Sequence, residues 1–122
     1  MPTRLWVSAG GIGGAAGVAL AAYAAHAQAA PGGNPALIET AARFLLLHAT
    51  VLIGIAWLAD RAGGIWPALA GTGFILGLIL FCGTLTLAGM GFAIPMAAAP
   101  VGGVVLILAW LALAAAALRQ AL

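Results

Sequence analysis

Charge is nearly missing from this chain: four basic and two acidic side chains among 122 residues make up 5% of the total. Soluble domains carry roughly 25% charged residues to cover a hydrated surface, so composition excludes a soluble globular fold. Cysteine is reduced to Cys82, which rules out an intramolecular disulfide and any cysteine-cluster metal site. Serine is reduced to Ser8, and the lone carboxylates, Glu39 and Asp60, fall at opposite ends of the apolar runs described below. No hydrolase or transferase constellation can be assembled from that inventory, and enzymatic activity is not expected. The net charge of +2 comes without a basic stripe or an aromatic platform, so nucleic acid is not an expected partner either.

What is present is apolar. Hydrophobic residues make up 66% of the chain, and the mean hydropathy is +1.23. In a bilayer every backbone N–H and C=O must be paired within the protein, which leaves helices or closed barrels as spanning structures. Four runs, 5–27, 35–59, 66–91 and 100–118, are far too long for barrel strands and close to the roughly 20 residues a helix needs to cross about 30 Å of hydrocarbon. Pro35, Pro67 and Pro100 stand at or beside the first helical positions, where a missing N–H costs nothing, and Asn34 is placed to cap the second run. The connections hold Gly32 and Gly33, Gly63 and Gly64, and Pro95. Such short links make consecutive helices antiparallel neighbours. The expected fold is an all-α membrane protein, one integral membrane domain over 1–122 forming a four-transmembrane-helix up-down-up-down bundle. Arg4, Arg61 and Arg119 then fall on one side and only Arg43 on the other, which places both termini in the cytoplasm.

The first run also fits the plan of a secretory signal peptide, with Arg4, an Ala/Gly-rich stretch, and Ala25-His26-Ala27 or Ala27-Gln28-Ala29 as small-residue cleavage sites. Its apolar stretch is long for a signal core, so a first span is the expectation. That helix carries Gly10, Gly13, Gly14 and Gly17, with Ala21 continuing the series, and the third repeats the spacing with Gly73 and Gly77. Small residues four apart let backbones approach closely where lipid is as apolar as leucine. Packing inside the bundle is expected, and dimerisation is the alternative. Cys82 reads as a small apolar filler, and Thr84 and Thr86 as hydroxyls bonded to carbonyls one turn back, with a solute path as the alternative. Trp6, Trp57 and Trp66 are expected at the cytoplasmic headgroup zone, and Trp110 deeper, between helices.

Four polar residues, His26, Glu39, Arg43 and His48, crowd the junction of the first two runs. Glu39 and Arg43 are four apart in acid-then-base order and share a helix face. His48, nine residues past Glu39, points to the opposite face in line with Phe44 and Leu52. It lies about 20 Å along the axis from Pro35, deep enough to need a partner inside the bundle: a thiol, a threonine hydroxyl or a carbonyl. His26, at the outer end of the first helix, is a candidate for the same network. Two histidines raise haem or metal ligation, but they differ in depth and have no certain carboxylate on their face, so neither a cofactor nor a metal is expected.

Several segments resemble one family. Ala22-Tyr23-Ala24-Ala25-His26 is similar to the AFGAH signature of the domain-of-unknown-function 423 family, small bacterial four-span membrane proteins whose eukaryotic relatives are called transmembrane protein 256. Arg43-Phe44-Leu45-Leu46-Leu47-His48-Ala49 resembles its RYQMYHA stretch, residues 77–85 its GILLFSGSL segment, and Pro100-Val101-Gly102-Gly103 with Trp110 its PxGG and following GW. Cys82 and Thr84 stand where the family usually has serines, and Leu45 replaces a glutamine. The resemblance implies four helices, the bacterial inner membrane and attention to His26 and His48, and it implies no activity. Two readings follow for a multi-pass protein whose partners are the lipid bilayer and either a membrane protein or further copies of itself. One is an accessory or assembly subunit packing against a larger membrane complex; the alternative is an oligomeric small-solute or ion transporter or channel. The first helix has no acid, which disfavours proton-coupled export of the kind small multidrug exporters perform.

Overall fold

The computed structural model describes residues 2–26 and 31–119. It contains four helices, α1 (Pro2–His26), α2 (Pro35–Ala62), α3 (Ile65–Gly89) and α4 (Ala98–Leu118), each long and apolar enough to cross a membrane. The Ala27-Gln28-Ala29 tripeptide lies outside the described residues.

Local chemistry sets the ends. Asn34 caps α2, its Oδ1 accepting from the Ala36 N–H at 3.0 Å, and Pro35 opens the helix. The Asn34 N–H also donates to the Gly89 carbonyl at 2.9 Å, tying the start of α2 to the end of α3. α2 runs beyond Ala59 to Ala62, because the Gly63 N–H still reaches the Ala59 carbonyl at 3.1 Å. Gly63 and Gly64 then turn the chain at φ of 66° and 78°, a left-handed region that side chains disfavour. α3 stops at Gly89 rather than Gly91, since Gly91, at φ 98°, closes the end. The Gly91 N–H donates to Ala88 and the Phe92 N–H to Leu87, both at 3.0 Å, the paired bonds of a Schellman motif. α4 begins two residues before Pro100, whose absent N–H still falls within the first turn, where it has no helical partner to lose.

Packing is chiefly sequential, α1 on α2, α2 on α3 and α3 on α4, with a smaller contact between α1 and α3. The sense of each pairing reverses along the chain. A Cβ on Gly10 would meet Ala49 and Ile53, and one on Gly17 would meet Leu46; Gly73 faces Ala109, and Gly77 faces Leu106 and the Gly102 backbone. All four glycines of the first series face α2, Gly13 and Gly14 touching Ala49 at the longer distances of ordinary contact. The core runs through Leu52, Ile55, Phe74 and Leu78.

The tryptophans divide differently from the expectation. Trp57 is exposed with the Arg61 guanidinium 5.2 Å from its ring centre, and Arg119 sits 5.7 Å from the ring of Trp66. Trp6 is instead buried, because Gly71 of α3 leaves open the space its ring fills; a Cβ there would lie 2.6 Å from the indole. Among the described residues the Trp6 Nε1–H has no partner, and a buried unpaired donor costs about 1–3 kcal/mol. Trp6→Phe is therefore expected to be neutral or stabilising by about 1 kcal/mol, and Trp6→Ala to destabilise by about 3–5 kcal/mol. Reversible unfolding in mixed micelles checks both, and a Phe variant as damaged as the Ala variant would contradict the assignment.

Candidate functional site

His48 stands at the middle of α2 and is 2% exposed. Its Nδ1 lies 2.7 Å from the Phe44 carbonyl oxygen one turn back, and the Trp110 Nε1–H of α4 donates to its Nε2 at 3.2 Å. These partners fix the tautomer. A carbonyl can only accept and an indole N–H can only donate, so the imidazole carries its proton on Nδ1 and offers a lone pair at Nε2. Three aromatic rings hold it in place: Phe44 stacked at 5.9 Å, Phe74 tilted at 5.5 Å and Trp110 edge-on at 5.7 Å. Phe74 and Trp110 also meet edge to face at 5.1 Å, a favoured aromatic geometry. Both imidazole nitrogens are thus engaged within the chain. Among the described residues no three of His, Cys, Asp and Glu gather as a metal site.

The polar cluster divides between two faces of α2. Glu39 and Arg43 form an ion pair on the exposed side, away from the buried His48. His26, the last residue of α1, is exposed and takes no part in the hydrogen bonding of His48. The network expected between the two histidines does not form, for a geometric reason. α1 lies on the face of α2 that carries Leu46 and Ala49, whereas His48 reaches α4.

Around this site the packing glycines bring the helices together. Gly77 and Gly102 let α3 and α4 meet, with a Gly102 Cβ destined to lie 2.5 Å from the Phe81 backbone nitrogen. That close approach seats α4 so that Trp110 reaches His48. Thr84 donates to the Leu80 carbonyl one turn back. Cys82 bonds across helices instead, its thiol donating to the Ala41 carbonyl of α2 at 3.4 Å. Since Cys82 is buried, a maleimide is expected to label it at least about tenfold more slowly in the folded protein than after denaturation. Equal rates in the two states would place the thiol at a surface.

Sequence reasoning missed Trp110 as the partner of His48, as well as the Phe74 wall. The signal was depth. α2 and α4 start at the same end, and His48 lies 13 residues into one and Trp110 12 residues into the other, which puts them within about 2 Å of the same height at 1.5 Å per residue. His48 and Trp110 themselves line an open groove of about 530 Å³ between α2 and α4, whose other walls include Phe44, Leu47, Phe81, Val104 and Ile107.

No curated protein and no solved structure matches this chain. The profile of the DUF423 family, proteins of unknown function, matches residues 20–103. That span takes in His26, the Glu39–Arg43 pair, His48, Cys82 and the close contact of Gly102 with α3, and it covers well over half of the 122 residues. The chain therefore belongs to the DUF423 family.

Proposed function

We propose that this is a non-enzymatic multi-pass protein of the bacterial inner membrane, acting as an accessory or assembly subunit against a larger membrane complex. Its four helices run up-down-up-down with both termini in the cytoplasm, the side given by Arg4, Arg61 and Arg119 against Arg43 alone. One observation carries the reading: the His48 imidazole, the more buried of the two buried polar side chains among the described residues, has both of its nitrogens bonded within the chain. A catalytic or conducting residue needs a free site to bind or pass a proton, ion or substrate atom. Recognition then falls to the outside, where α1 turns Gly11, Ala15 and Val18 outward and α4 turns Val104, Ile107 and Leu111. Faces of this kind suit close helix packing against another membrane protein. Copurification in a mild detergent followed by mass spectrometry is expected to recover a membrane partner in fixed ratio. Recovery of this chain alone under several growth conditions, together with ion or solute flux in liposomes, would favour the transporter reading.

A further inference from the structure

We infer that Glu39 and Arg43 form a binding site for one membrane lipid headgroup, a phosphoethanolamine. α2 has 28 residues, so its length of about 42 Å exceeds the roughly 30 Å hydrocarbon by about 6 Å at each end. Glu39, the fifth residue, stands near that boundary, and Arg43 one turn deeper. Cβ atoms tilt toward a helix N-terminus, which at this end is outward, so both side chains rise into the headgroup layer. They remain accessible there, Arg43 at 75% and Glu39 at 54% of the side chain. Between α1 and α2 they flank a cavity of about 300 Å³ walled by Ala24, Ala25, Ala42 and Leu46. The alanines keep it open.

The two charges match one kind of headgroup. The ion pair engages one guanidinium nitrogen and one carboxylate oxygen, leaving further N–H donors for a phosphate and a second oxygen for a cation. A phosphoethanolamine offers both partners at short separation, a phosphate for Arg43 and a primary ammonium with N–H donors for Glu39. A phosphocholine carries its charge on methyl groups that cannot hydrogen-bond, and a phosphoglycerol has no cation. The site should therefore select among phospholipids of identical acyl chains by the headgroup amine.

The test uses the full chain in nanodiscs of equal phosphatidylethanolamine, phosphatidylcholine and phosphatidylglycerol, released into mild detergent, with retained lipids counted by native mass spectrometry. Phosphatidylethanolamine is expected to remain bound about tenfold more often than phosphatidylcholine, as one charge-assisted hydrogen bond would give. Glu39→Gln should abolish that preference while phosphate-bearing lipids still bind, and Arg43→Gln should reduce retention of all three. Both side chains are exposed, so neither variant is expected to disturb the fold. Equal retention of the two zwitterionic lipids by the unsubstituted protein would overturn the proposal. So would a preference that survives Glu39→Gln, or phosphatidylglycerol bound best with no response to that substitution.

Discussion

Replacing Gly102 with alanine is expected to destabilise the protein by about 2–3 kcal/mol or more, the upper range for overpacking a contact that cannot yield. The added methyl would sit 2.5 Å from the Phe81 nitrogen, 2.9 Å from the Leu80 Cβ and 3.0 Å from the Gly77 carbonyl oxygen. Two of those atoms are backbone, so no rotamer change relieves the overlap and α3 must separate from α4. Separation withdraws Trp110 from His48, which adds the loss of an interhelical hydrogen bond. The neighbouring residue supplies the control. A Cβ on Gly103 finds its nearest neighbour, Phe81 Cδ1, at 3.9 Å, so Gly103→Ala should stay within about 0.5 kcal/mol of the parent or gain slightly from helix propensity. Unfolding by sodium dodecyl sulfate titrated into mild detergent compares the two, and equal effects would mean that α3 and α4 do not meet at Gly102.

Substitution at His48 has the other large expected effect. His48→Ala empties a slot bounded by Phe44, Phe74 and Trp110 and unpairs the indole N–H, for an expected loss of about 2–4 kcal/mol. Most of that is packing. The hydrogen bond itself is expected to contribute about 0.6 kcal/mol and at most about 1.7 kcal/mol, the range measured for interhelical bonds in membranes. A double-mutant cycle with His48→Phe and Trp110→Phe, which keeps aromatic volume on both helices, isolates that share. A coupling of zero would show that the bond does not hold in the membrane. By contrast, Glu39→Gln and Arg43→Gln break an exposed pair and should change stability by less than about 1 kcal/mol.

Most of the fold could be read from residue order because its signals are local. Prolines and glycines mark the starts and turns, and a run of about 20 apolar residues admits one spanning structure. The separation of Glu39 and Arg43 from His48 follows from a helical turn of 100° per residue. What escaped depends on meetings between distant residues. Trp6 reads as an interfacial residue from its place near a helix end, yet Gly71, far along the chain, opens a buried slot for it. The partner of His48 was expected among thiols, hydroxyls and carbonyls. One carbonyl was found a turn back, but the other nitrogen went to an indole 62 residues away. His26 is a candidate for the same network from its place at the outer end of the first helix, and the packing of α1 on the opposite face of α2 separates it from His48. Capping also shifted the ends: the Schellman turn at Gly91 shortens α3, and the bond from Gly63 to Ala59 lengthens α2.

His48 is a structural link between α2 and α4, with its Nδ1–H on the Phe44 carbonyl and its Nε2 accepting from Trp110. Nitrogen NMR of the protein labelled with 15N-histidine in lipid nanodiscs, with His26→Gln leaving a single imidazole, tests it most directly. The expected result is a protonated Nδ1, an unprotonated Nε2 coupled to the Trp110 indole N–H, and no change when a transition metal is added. A proton on Nε2, a doubly protonated ring, or a metal-shifted Nε2 would contradict it and restore His48 as a site of proton or metal chemistry.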